Sequence, residues 1–144
     1  LSIDYSGVYE MKQVIVGVYD LGYQKIQLIL REGTGADWQT LPKNGDVSQM
    51  SIGVDRGIWS QIFRSLMHES LELSIFLCHC RYYQNNDVSD GNDLYMMVMD
   101  HGQFGQVSAQ AAEFICACQN DLSRAWKAWH RPPKKKPAKK RKAK

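Results

Sequence analysis

No stretch of this sequence approaches the ~18 consecutive apolar residues that cross a bilayer, so no membrane span is expected. The opening L-S-I-D-Y-S-G carries an early acid and no apolar core of the kind a secretory signal needs. A cytoplasmic, intracellular protein is the expectation that follows. No internal repeat is visible. The four cysteines lack the C-x-x-C spacing of common zinc sites and come as Cys78-His79-Cys80 and Cys116-Ala117-Cys118. Two residues apart on a helix, side chains diverge by about 200°, so neither pair chelates from within a helix. Only a helix ending before the pair would change that. Thiols packed in the core are expected, without disulfides.

Acids are missing from Arg131 to Lys144, a stretch that holds nine Lys or Arg. The formal net charge of +3 therefore averages two unlike regions. Of 18 basic residues, nine remain in residues 1–130 against 15 acids, which leaves the body at −6. The tail R-P-P-K-K-K-P-A-K-K-R-K-A-K has no apolar anchor and is expected to be disordered. Lys134, Lys135, Lys136, Lys139, Lys140, Arg141, Lys142 and Lys144 can neutralise phosphates and release counterions. That gives salt-dependent, sequence-blind nucleic-acid binding. An acidic protein partner, a membrane surface, a nuclear import receptor and a purely solubilising role suit the same composition. No aromatic residue interleaves the basic ones, so there is no stacking platform for single strands. Trp126 and Trp129, just upstream, fit helix packing at least as well.

With 144 residues and 44% apolar content, the chain can bury one core but not two ordinary ones. Residues 1–10 read as an N-terminal extension, 11–130 as a single domain and 131–144 as the tail. Residues 11–19 and 23–31 alternate as strands, linked at Asp20-Leu21-Gly22 as a hairpin. Gly33-Thr34-Gly35 and Pro42-Lys43-Asn44-Gly45 bracket a loop or irregular edge around Trp38. Val47 to Val54 reads as a third strand that runs into a long helix. After it, Gln84 to Asp93 is a polar loop. Leu94 to Met99 reads as a fourth strand, apolar on both faces and hence interior. Asp100 and Gln103 can cap a second helix that runs to about Trp129, before Pro132-Pro133. The order β-β-β-α-β-α predicts an α+β domain, an antiparallel or mixed sheet of about four strands with two packed helices.

The long helix, expected over 56–80, organises the rest. Trp59, Ile62, Phe63, Leu66, Leu73 and Leu77 form one apolar stripe at helical spacing. Asp55 suits the N-cap, and Val54 with Trp59 suits a hydrophobic staple. Past Ser70 the helix is apolar nearly all round, which predicts cover on more than one side. His68 and Glu72, four residues apart, stand one above the other on the opposite side. His79 lies about 10 Å further on, too far to share an ion with both.

His68-Glu69-x-x-Glu72 has the spacing of H-E-x-x-H, with Glu72 where the second histidine would stand. In that pattern two ligands share one helix face, and the intervening Glu serves as base. A carboxylate is a legitimate zinc ligand, so the chelating spacing survives. Residues 51–73 resemble the strand-then-helix unit of small zincin-like proteins, some carried by phages. The resemblance covers about a fifth of the chain and implies zinc held by His68 and Glu72 with Glu69 as catalytic base. His101, in the first turn of the second helix, is the first candidate for a third ligand, with Asp100 and Glu113 as alternatives. The competing reading is a helix whose His and Glu side chains are merely hydrogen-bonded or solvated.

Two functions follow. The first is a small accessory protein of phage or mobile-element type, its acidic body engaging a protein partner and its tail binding nucleic acid non-specifically. The alternative is a zincin-like metal-dependent hydrolase built on the His68 helix.

Overall fold

The computed structural model describes residues 11–40, 47–55, 57–83 and 95–131. The N-terminal extension, the polar loop at 84–93 and the tail from residue 132, with all eight expected phosphate-binding cations, lie outside the described residues. The elements are β1 Gln13–Leu21, β2 Gln24–Arg31, β3 Ala36–Gln39, β4 Ser48–Gly53, α1 Trp59–Leu77, β5 Arg81–Tyr83, β6 Tyr95–Met97 and α2 His101–Trp129. This is the α+β arrangement expected. A four-stranded mixed sheet runs β1-β2-β4-β3, with β2 and β4 parallel and the outer strands antiparallel to their neighbours. α1 lies against β3 and β4, α2 against β1 and β2, and the helices touch each other.

The alternation read in the second strand sets the core. Ile26, Leu28 and Leu30 are fully buried, and the parallel register places Met50 beside Leu28 and Ile52 beside Leu30. The hairpin turn falls at Gly22-Tyr23, slightly later than the link expected, and Gly22 has φ 57°. Tyr19 on β1 donates to Asp121 on α2 at 2.8 Å and meets Phe114 edge-on, which ties the hairpin to that helix.

The stretch around Trp38, expected as loop or irregular edge, contains a true strand. β3 pairs with β4 from Ala36↔Ile52 to Gln39↔Gln49 and forms the outer edge of the sheet. Gly33 and Gly35, at φ 96° and 73°, fold the chain back across the end of β4. There the Gly53 N–H donates to the Gly35 carbonyl at 2.7 Å. A Cβ on Gly53 would stand 2.4 Å from the Gly33 carbonyl oxygen, so the crossing needs glycine on both sides.

The start of the long helix differs from expectation. α1 begins at Trp59 with Ile58 as N-cap and no side-chain cap; the Asp55 N–H donates instead to Gly33 O at 3.1 Å. Asp55 therefore belongs to the glycine crossing. Val54 and Trp59 both join the core, but a staple for this cap would pair Gly57 with Ile62, so none forms.

The end of α1 is a Schellman turn. His79 takes φ 57°, its N–H bonds Phe76 O at 3.0 Å, and the Cys80 N–H reaches Ile75 O at 3.0 Å. Cys80 is fully buried against Ile75, the apolar contact that accompanies such a turn. The chain then leaves as β5.

The fourth strand was expected inside the main sheet, and it is not there. Among the described residues β6 pairs only with β5, in a separate two-stranded sheet. Met96, Met97 and Val98 are 47%, 53% and 54% exposed. An all-apolar run has no period to say which sheet it joins, and the places beside β2 are taken by β1 and β4.

α2 begins as expected. The Asp100 carboxylate accepts from Gln103 N, and the Gln103 side chain accepts from Asp100 N, a complete capping box. Trp126 packs against Trp59 at 5.7 Å between ring centroids, and Lys12 sits over the Trp129 ring, so both tryptophans serve packing. Among the described residues no helix is long and apolar enough to cross a membrane.

Leu66 is fully buried where α1 meets the sheet. Leu66→Ala should cost roughly 2–5 kcal/mol in chemical denaturation, as a large-to-small core change does.

Candidate metal centre

Three side chains of α1 converge. His68, Glu69 and Glu72 each offer a ligand atom, and these atoms lie within 4.8 Å of one another. Among the described residues this is the one grouping of three or more such donors. His68 Nε2 stands 3.6 Å from Glu72 Oε2. Two donors on a tetrahedral zinc ion, each about 2.1 Å away, stand about 3.4 Å apart, so this pair is already near chelating distance.

The three sit in different surroundings. The His68 side chain is 69% exposed and that of Glu72 is 17% exposed. Glu69 is buried at 6%. That burial pushes the Glu69 carboxyl above its ordinary value; Glu72 and Asp37 push the same way, while His68 opposes them. Arg81, the residue directly after the Schellman turn, returns to this spot. Its Nη1 lies 3.5 Å from Glu72 Oε1, and its guanidinium stands 5.8 Å from the Trp38 ring centroid. One Glu72 oxygen thus faces Arg81 and the other faces His68.

Two clefts flank the group, with His68 in the wall of both. The first, about 350 Å³, lies between the start of β3 and α1 and is lined by Gly35, Ala36, Arg64, Ser65, His68 and Glu69. The second, about 310 Å³, is mostly apolar and opens among α1, β6 and the start of α2 beside His68 and Glu72. Glu69 therefore borders open space and is not sealed in.

His101 does not join the group. It opens α2 as an exposed residue, outside the three-donor cluster. Of the alternatives, Asp100 is committed to the helix cap and Glu113 is exposed elsewhere on α2. The third donor within reach of His68 and Glu72 is Glu69, the residue the sequence pattern reads as base. Neither cysteine pair forms a donor group among the described residues, although α1 does end before Cys78. Cys80 and Cys118 are core thiols, as expected, and burial pushes Cys118 up to about 12. Against that expectation, Cys78 is half-buried and Cys116, on the outer side of α2, is exposed.

Arg81 and Arg64 were not anticipated. Arg64 had a readable signal, since it lies one helical turn before His68 on the same face. Arg81 had none, because the turn that returns it hinges on one non-glycine residue with positive φ. No protein-family model, curated protein or solved structure matches the chain.

The Glu69 environment makes a stability prediction. A carboxyl whose folded pKa is raised binds its proton more readily when folded, so stability falls as pH rises through that raised pKa. Glu69→Gln should therefore melt higher than wild type at pH 7 in chelator. The advantage should shrink as pH falls toward the ordinary carboxylate range. Melting curves across pH check this, and parallel profiles for the two proteins would contradict it.

Proposed function

We propose that this protein is a metal-dependent hydrolase of zincin-like type, with zinc held by His68 and Glu72 and with Glu69 as general base. The observation that carries the reading is the convergence of the three donors within 4.8 Å beside an open cleft. Imidazole nitrogen with carboxylate oxygen is a donor set that suits zinc. When bound, the ion supplies Lewis acidity that polarises the bond under attack. The chain's own groups supply the rest. Glu69, at the border of core and cleft, holds a carboxyl poised above its ordinary range, suited to accept a proton from attacking water and return it to the leaving group. Arg81 engages one Glu72 oxygen and leaves the other directed to His68.

Metal analysis of untagged protein purified without added metal tests this, followed by zinc titration. One zinc per chain is expected, with binding lost in His68→Ala and Glu72→Ala. Glu69→Gln should keep the ion and lose hydrolysis of a mixed peptide library. Loss of the ion in Glu69→Gln would make Glu69 a third ligand. Absence of stoichiometric zinc would leave a hydrogen-bonded cluster organised by the Arg81–Glu72 pair, and the hydrolase reading would fall.

The tail supports a second, compatible reading, non-specific nucleic-acid binding beside an acidic body free to engage a protein partner. Its support is the segregation of charge, nine cations and no acid in residues 131–144 against −6 elsewhere. A chain ending at residue 130 should melt within a degree or two of full length and lose most affinity for random duplex DNA. For the full chain, log affinity should fall with log salt by about 0.9 per phosphate contacted. Equal binding by both chains would place the affinity in the folded body.

A further inference from the structure

The two clefts differ in chemistry, and together they describe a substrate. In the first, Arg64 stands one turn before His68 and shares the lining with Glu69. It makes no ion pair with any described residue. A guanidinium keeps its charge at every working pH and presents a planar fork that matches a carboxylate. In the second cleft, Leu71 of α1, Met97 of β6 and Phe104 of α2 meet, 38%, 53% and 57% exposed. Three elements thus bring large apolar side chains to one spot and leave them facing water. The space of about 310 Å³ takes a leucine or phenylalanine side chain, and methionine-lined walls adapt to either. His68 separates the two clefts, so an extended molecule lying across the centre meets both.

The Arg64 cleft also begins at the sheet's outer edge. Ala36 opens β3, and no described strand pairs with the far side of β3. Such an edge offers backbone donors and acceptors to an extended peptide.

We propose that this centre selects a polypeptide segment with a carboxylate side chain on one side of the reacting bond and an apolar side chain on the other. Arg64 reads the carboxylate, and the Leu71, Met97 and Phe104 cleft takes the apolar group. The inference rests on the hydrolase reading of the same centre and names its substrate class. Arg64 and Phe104 are then specificity residues.

The test uses full-length Glu69→Gln protein, which retains the clefts, and fluorescent octapeptides read by anisotropy, with zinc and again in chelator. The peptides carry Glu and Phe in both orders, separated by one to three residues, with Gln replacing Glu, Ala replacing Phe, or both. At least one spacing should bind about tenfold more tightly than its doubly substituted partner, a difference of about 1.4 kcal/mol. Adding Arg64→Gln should erase the Glu/Gln difference and spare the Phe/Ala difference. Adding Phe104→Ser, at an exposed position, should do the reverse. Equal binding of all peptides overturns the proposal, as does a uniform loss with either variant. Cleavage by wild type is then scored separately. Cleavage indifferent to both flanking residues leaves the hydrolase standing and removes this inference. Discriminating binding without any cleavage keeps the recognition and removes the hydrolase.

Discussion

The candidate centre depends on the rotation of α1 about its own axis. Leu66 and Leu73, both fully buried, pin that rotation against the sheet and α2. At about 100° per residue, Glu69 then points about 60° from Leu66, at the margin of the core, and His68 about 160° away. Glu72 falls between, about 120° away on the Glu69 side. The exposures follow this order, with Glu69 buried, Glu72 mostly covered and His68 in solvent. A slip of one residue in docking would swing Glu69 by a full 100° and either bury or strand it. The apolar packing that folds the domain therefore also decides which carboxylate is desolvated.

That desolvation works against the fold. A buried carboxyl near two other carboxylates is retained only because Leu66 and Leu73 overrule it, and the opposing pull of His68 is partial. Ser70 and Ser74, fully buried beside it, show the cheaper solution for polar groups on this helix. Each hydroxyl donates to the carbonyl four residues back, at 2.6 and 2.7 Å. A carboxylate has no proton to donate when ionised, so Glu69 has no such local escape. A residue that costs stability at a cleft edge is where chemistry is usually found.

Within single elements the sequence was a good guide. The spacing of His68 and Glu72, the Asp100–Gln103 capping box, the stripe of α1 and the alternation of β2 are local patterns, and each appears as read. Even the burial of Glu69 could have been drawn from its angle to Leu66. Relations between elements were less legible. β3 exists because Gly33, Gly35 and Gly53 permit a backbone crossing, which no hydrophobic period records. His101 was assigned by its place at a helix start beside a supposed central strand. With β6 in a separate two-stranded sheet, the start of α2 does not lie beside a central strand.

The features the pattern missed are not scattered. The start of β3 lines the Arg64 cleft, Arg81 holds Glu72, and β6 supplies Met97 to the apolar cleft. Each reaches the centre through a local feature that the hydrophobic pattern does not record. These are a glycine pair at positive φ, a histidine where a helix terminus favours glycine, and an apolar strand left facing water. β3 also packs Ala36 and Trp38 against the core, and the turn at His79 buries Cys80, so these devices serve the fold while bordering the polar row of one helix. The surroundings of His68, Glu69 and Glu72 are thus set by backbone turns and strand placement, which the spacing of the motif does not encode.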